Sequence, residues 1–535
     1  MSDDNAWTGQ RLSGRELFTL FSALMLTMLL AALDQTIVGT ALPTIVGDLN
    51  GMDDYTWVVT AYLIATAATT PLYGKLSDLY GRRPIILLAI TIFLVSSALA
   101  GLSQNMLQLV LFRGLQGVGA GGLMTLAFTI VSDVLPPRDR GKYQGLFGAV
   151  FALSSVAGPV LGGWLAEVDW RWIFYINLPT GLVALVAVNA VLRKHPIPTR
   201  QHKIDYLGAM FLVPAVTCLL LATTWGGQDY AWTSGVILGL FTAAAVLTAA
   251  FLVVETRAEE PILPLRMFHQ GTFSLASVIG FVFGIAMFAG IVYIPLFFQM
   301  VRGYTPTKSG LLMLPMMVGM VATSILSGFV ISKAGRYKWF LVGGAVVSTV
   351  GLSLFTQVHV DTPLATSAVY LLVLGLGMGM FMQPLVLAMQ NIVSMADLGV
   401  ATSTNTFART LGGAVGTSVL GAVMNATLDR ELTANLPAAL AQLSPQEAAA
   451  FGGSDLSALT ESPTAVQGLP EPVRLVVQQA FTDGMDDVFL VAAVITAVAI
   501  VLTLFLPDLV LRGAPDARTE EPDTAADQIR ADTLP

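Results

Sequence analysis

Fourteen separate stretches of this chain stay apolar for about twenty residues, the length an α-helix needs to cross the hydrocarbon core of a bilayer. They lie at roughly 17–42, 55–76, 85–102, 106–132, 140–166, 172–192, 206–224, 234–254, 273–299, 310–332, 339–357, 364–389, 398–425 and 486–506. Inside lipid every backbone N–H and C=O must be satisfied within the protein, so long apolar runs of this kind predict an all-α polytopic membrane protein. Only 12% of the residues are charged, against about 25% in soluble domains. The first run begins near Leu17 and exceeds the apolar core of a signal peptide, so it is expected to remain as span 1. The lone cysteine, Cys218, lies in an apolar run, where it allows no internal disulfide and reads as small apolar filler.

A net charge of −8 conceals a division by side. With the N-terminus inside, 20 of the 27 Lys and Arg residues fall on the inner side, and Arg171, Arg302, Lys308, Arg430 and Arg474 fall outside. That bias places both termini in the cytoplasm. The remaining two, Arg113 and Arg409, sit within spans.

The chain repeats itself at an offset of 254 residues. GKLSDLYGRR (74–83) then faces GFVISKAGRY (328–337), and AGPVLGG (157–163) faces LGGAVGT (411–417), with Gly158 on Gly412 and Gly162 on Gly416. Each unit holds six spans, which predicts two parallel six-helix halves with a substrate site between them near the midplane, and two inserted helices. The expected divisions are an N-terminal tail (1–16), a first half (17–194), a linker with the inserted pair (195–265), a second half (266–511) and a disordered tail (512–535). Within the second half, residues 426–483 are expected to form an outer loop, with SPQE (444–447) opening a short helix as a capping box.

One carboxylate, Asp34, stands in a run otherwise free of charge from Leu17 to Gly47. Such a group costs at least about 2.5–3.5 kcal/mol at the bilayer centre, so it needs a partner or a function. Asp34 and Arg113 both fall in the outer half of their spans and could share a cavity, where the cation favours the ionised acid and desolvation disfavours it. A static ion pair, or Arg113 reaching out to the surface, would account for the same residues. Asp34 is the one carboxylate deep in any span, hence the candidate proton carrier: neutral it is cheap to move, and ionised it can accept a cationic ligand. GVGAGG (117–122) resembles a dinucleotide fingerprint, but it sits in mid-span with no preceding strand, so its glycines read as a smooth packing face repeated by GLGMGM (375–380). No histidine lies deep in a span and no nucleotide, metal or nucleic-acid signature is present, so the expected cofactor set is empty and the energy source is a proton gradient. Nothing resembles an activated nucleophile or paired catalytic acids, which argues against an enzyme.

Six motifs, LDQTIVGTALP (33–43), GKLSDLYGRRP (74–84), LVLFRGLQGVGAGG (109–122), AGPVLGGW (157–164), WRWIFYINLP (170–179) and NTFARTLGGAVG (405–416), occur in an order similar to that of the fourteen-span drug:proton antiporters of the major facilitator superfamily. The resemblance covers nearly the whole chain. It implies the major facilitator fold, alternating access, and efflux of amphipathic monocationic or neutral compounds across a bacterial cytoplasmic membrane by a monomer that could work with accessory efflux proteins. It implies a gating latch at Gly74, Asp78, Gly81, Arg82 and Arg83, weaker in the second copy where Ser332 replaces Asp78, and an antiport motif at Gly158, Pro159 and Gly162, with Pro159 bending span 5. Proton coupling is assigned to Asp34 and Arg113. Candidate substrate contacts are Asp34, Gln35, Arg409 and the soft side chains Met313, Met317, Met378 and Met382, for which core filler is the alternative. An exporter of a dedicated lipid or metabolite, or a membrane sensor, fits the same spans.

Overall fold

The structure, a computed structural model, describes residues 13–49, 57–194, 205–227, 229–443 and 466–511, and among these it contains helices and no strand. We label the long helices in chain order: α1 (Gly14–Leu49), α2 (Trp57–Tyr80), α3 (Arg82–Gly101), α4 (Met106–Val134), α5 (Pro137–Asp169), α6 (Trp172–Lys194), α7 (Tyr206–Trp225), α8 (Gly235–Glu255), α9 (Gly271–Met300), α10 (Thr307–Ala334), α11 (Lys338–Phe355), α12 (Leu364–Ile392), α13 (Leu398–Leu440) and α14 (Glu471–Phe505). Among the described residues, twelve of them are long and apolar enough to cross a membrane. Of the other two, α2 falls short in apolarity, whereas residues 146–163 of α5 form an uncharged apolar stretch. In α2, Thr66, Thr69 and Thr70 return their hydroxyls to carbonyls one turn earlier, each at 2.7 Å, so the polar groups that dilute its hydropathy are satisfied inside the helix.

The glycine faces do what their spacing predicts. On α4, a Cβ at Gly121 would fall 2.8 Å from the Thr66 carbonyl of α2, and one at Gly119 would fall 2.6 Å from the Phe93 nitrogen of α3. On α12, Gly379 meets α10 in the same way, and Gly377 meets α11. One smooth helix per half therefore seats two neighbours at backbone distance, where dispersion between packed atoms replaces a hydrophobic driving force.

The six helices of each half enclose their own apolar core. A smaller cluster, with Ala67 of α2, Leu212 and Leu220 of α7 and Phe251 of α8, holds the inserted pair against α2, and Phe407 and Leu411 of α13 pack onto it.

The segment 426–483 departs from the expected outer loop. Residues 426–440 continue α13 and residues 471–485 belong to α14, so the two helices extend well past the apolar stretches at 398–425 and 486–506. Leu428, Leu432 and Leu436 share a buried cluster with Val473, Val477 and Ala480, an apolar stripe at helical spacing that continues α13 and α14 as a paired extension. The SPQE box, like the residues 1–12 and 512–535 of the tails, lies outside the described residues.

Where the halves meet, the repeat is visible as contact. A Cβ at Gly74 of α2 would fall 2.6 Å from the Gly399 carbonyl at the start of α13, and one at Gly145 of α5 would fall 2.8 Å from the Ser324 carbonyl of α10. Gly145 and Gly399 stand at the repeat offset, as do Gly74 and Gly328, which abuts Gly141. Both seams lie at the end of the bundle that carries the basic loops. Within the first half, Gly158 presses α5 on Thr36 of α1, and at the matched place Gly412 presses α13 on Phe281 of α9. Gly158→Leu is expected to destabilise the protein by about 1–3 kcal/mol through overpacking, with a matching fall in turnover, and Gly412→Leu should behave alike. Thermal unfolding and transport by both variants check this, and normal values for both would remove close packing as the reason for the glycines.

Candidate functional site

Asp34 is enclosed inside the first half, 1% exposed, at the centre of a polar net. Its Oδ2 accepts from Arg113 Nη1 at 2.6 Å; its Oδ1 accepts from Gln116 Nε2 at 2.8 Å and from Asn177 Nδ2 at 3.0 Å. Arg113 Nη1 also donates to Gln116 Oε1 at 2.7 Å, and its guanidinium carbon stands 4.2 Å from the centre of the Tyr62 ring. Ser97 Oγ accepts from Gln116 and Asn177 and donates to the Phe174 carbonyl at 2.9 Å. Arg113 and Gln116 are three residues apart on α4 and so share a face. The net thus joins α1, α2, α3, α4 and α6. Arg113 is itself 1% exposed, which excludes the reach to the surface.

The chemistry of this arrangement follows from its donors and acceptors. Two ions taken out of water need excellent geometry and further hydrogen bonds to offset desolvation, and both are present. An ionised Asp34 is acceptor-only and faces three N–H donors. Protonation would add an O–H where only donors stand, so at least one bond must break and a side chain must turn. One carboxylate and its donors thereby join five helices.

A second polar cluster closes the basic end. Asp78, beyond the apolar stretch of α2, pairs with Arg82 and accepts from the backbone N–H groups of Gly399 at 3.1 Å and Val400 at 3.0 Å, the first turn of α13 in the other half. A carboxylate at a helix N-terminus meets the positive end of the dipole. Arg82 continues to Asp133 at 2.6 Å and Ser77 at 2.7 Å. Burial pushes the Asp78 carboxyl up to about 6, with Arg82 pulling it back. Gly81, at φ 88°, makes the tight turn between α2 and α3 that brings Arg82 back over Asp78. Arg83 instead donates to Asn189 at 2.9 Å within its own half and takes no part in the bridge. In the second copy the Ser332 side chain makes no hydrogen bond among the described residues, and its loop is held by Leu511 N–H to the Gly335 carbonyl at 2.8 Å and by Arg336 to Asp508 at 3.3 Å. The loop after α8 reaches both halves, through Lys75 to Glu260 at 2.6 Å and Arg266 to Asp397 at 3.2 Å.

The other expected site residues are scattered. Met313, Met317, Met378 and Met382 are buried in the core of the second half. Gln35 is half-buried beside Asp34, and Gly162 is buried in α5, which runs as one helix from Pro137 to Asp169; the side chain of Pro159 lies outside the described residues. The Arg409 side chain has no hydrogen-bond or ion-pair partner among the described residues, and α13 brings its carbonyl against Gly284 of α9. Sequence reasoning passed over Gln116, Asn177, Ser97 and Tyr62. Gln116 and Asn177 both stood in motifs already singled out, LVLFRGLQGVGAGG and WRWIFYINLP, and their amides were the available signal.

The sequence matches the profile described as Major Facilitator Superfamily over residues 24–417. It is 38% identical over 528 residues to the Multidrug transporter protein MdtP of Bacillus subtilis (strain 168), covering 96% of this chain and 97% of that protein. It is 37% identical over 484 residues to Multidrug resistance protein 3 of the same organism, covering 90% and 94%. Among solved structures, the proton:xylose symporter XylE superposes with a TM-score of 0.57 at 14% identity, over 94% of this chain and 98% of that one. The human organic anion transporter MFSD10 gives 0.58 at 15%, over 90% and 100%.

Proposed function

Since the chain belongs to the major facilitator superfamily, we propose that it exports amphipathic compounds in exchange for protons by alternating access, with all fourteen long helices, α2 and α5 included, crossing a bacterial cytoplasmic membrane and both termini inside. The observation that carries the reading is the Asp34 net: a fully buried carboxylate whose two oxygens are bound to donors on α4 and α6. In the ionised state it holds α1, α4 and α6 in one arrangement. A proton neutralises it, releases Arg113 and Gln116, and lets the half change shape without carrying a bare charge through lipid. The Asp78 bridge supports a state closed at the cytoplasmic end, and the loop after α8 braces that bridge from both sides. Multidrug transporters among the relatives support efflux as the direction of transport.

The test is reconstitution in sealed vesicles under an imposed pH gradient, with a panel of amphipathic dyes and a trapped pH indicator. Dye should accumulate against its gradient, and each addition of substrate should release a pulse of protons in the opposite direction. Dye movement indifferent to the pH gradient would overturn antiport, and movement of phospholipid alone would favour a lipid exporter.

A further inference from the structure

A cavity of about 530 Å³ lies apart from Asp34, in the half of the bundle away from the basic loops. Its walls come from three parts of the chain: Leu63 and Ile64 of α2, Leu220 and Thr224 of the inserted helix α7, and Tyr293 and Ser418 from α9 and α13. Asp34 and Arg113 do not line it; nor, among the described residues, does any Asp, Glu, Lys, Arg or His. Ala67 and Leu220, which do line it, also belong to the apolar cluster with Val216 and Phe251 that anchors the inserted pair. On the α9 side, the wall is a π-helical turn, Ala289–Tyr293, and the Tyr293 hydroxyl donates across to the Thr417 carbonyl of α13 at 2.7 Å. Turns of this kind interrupt the regular ladder and recur at functional sites.

From this geometry we infer that the cavity is a ligand site for an uncharged amphipathic small molecule, distinct from the Asp34 net. The inference rests on the transporter reading for its purpose but not for its measurement, which is binding. Its volume falls in the range of about 300–1,000 Å³ typical of small-molecule sites, and an apolar wall with a few convergent polar groups is their usual chemistry. The hydroxyls of Thr60, Thr224 and Ser418 and the amide of Asn425 can orient a neutral polar end. A cation would leave water for a cavity with no counter-charge, which penalises it. Because α2 belongs to the first half and α9 and α13 to the second, any movement between halves changes the shape of this site. The inserted helix α7 thereby acquires a role, closing the side that the two halves alone would leave to lipid.

The test uses the purified full chain in detergent with two probes, uncharged N-phenylnaphthylamine and the monocation tetraphenylphosphonium. Ala414→Trp and Ser418→Phe, which fill the cavity from two places on α13, should each weaken the neutral probe by at least about tenfold, and monodispersity with an unchanged unfolding temperature shows that they fold. Ser418→Asp should shift preference towards the cation. Neutral-probe binding untouched in both filling variants would overturn the site, as would displacement of the probe by phospholipid at equal strength in the unmodified protein, which would make this a lipid groove. If vesicles show no proton exchange while the filling variants still lose the probe, the transport reading falls and the site stands; if exchange proceeds and the fillings are inert, the site falls alone.

Discussion

Asp34→Asn is expected to fold, to reach the membrane, and to lose gradient-driven accumulation of substrate altogether. Asn matches Asp in size but does not titrate, and its amide N–H₂ must face either Arg113 or the pair Gln116 and Asn177, all donors at those positions. The variant is therefore fixed close to the neutral state, with the net already broken. Whatever downhill movement remains should lose its dependence on pH, a change that a merely structural role for Asp34 would not produce. Asp34→Glu keeps a titrating group and should retain part of the activity. Arg113→Met should be the harsher change: removing one partner of a buried ion pair costs about 3–5 kcal/mol because the other charge is left uncompensated. Arg113→Lys keeps the charge but loses the planar guanidinium face over Tyr62 and the Nε–H to the Val58 carbonyl, and should fall between. Uphill efflux by Asp34→Asn that still depends on the proton gradient would sink the assignment.

Gly74→Leu should unlatch the basic end. No room exists for the side chain, since a Cβ alone would come within 2.6 Å of the Gly399 carbonyl and closer still to Ser403. Overpacking of about 1–3 kcal/mol falls on the closed arrangement and spares the open one, so the balance between them should move by on the order of 5- to 150-fold. The reporter is a single cysteine at position 390, after Cys218→Ser, because Gln390 is 2% exposed and meets Gln144 across the seam at 3.3 Å. Gly74→Leu should raise its labelling by an impermeant maleimide added from the basic side, and Asp78→Asn should do so to a smaller degree. Unchanged labelling in both would show that the seam is not the gate.

Much of the architecture was legible because it is written in one dimension. Span-length apolar runs, the basic loops and the paired glycine faces at 117–122 and 375–380 each depend on near neighbours in sequence. The meeting of Asp34 with Arg113 was legible too, since two opposite charges in lipid-length segments have few affordable places to go. Less legible was the extent of the helices: polar and alanine-rich residues at 426–440 look like a loop by composition, and only the apolar stripe of Leu428, Leu432 and Leu436 against α14 reveals the paired extension. The soft methionines illustrate the reverse, because a side chain that suits a binding surface suits a core equally well, and here they pack in the core.

The sequence by itself determined the class of molecule, the twofold repeat and the lone deep acid, because hydropathy, small-residue spacing and charge are properties of single residues and their close neighbours. Tertiary structure alone decided who holds that acid and where the latch closes. Gln116 and Asn177 are neutral, carry no conspicuous burial penalty, and become partners of Asp34 only when faces of α4 and α6 turn towards α1. Asp78 finds backbone N–H groups at 399 and 400, more than three hundred residues away, and since nearly every residue carries such a donor, no side-chain pattern marks which one will be used. The cavity follows the same rule: its walls come from α2, α7, α9, α13 and α14, and a space between helices exists in no segment of the chain until they are packed.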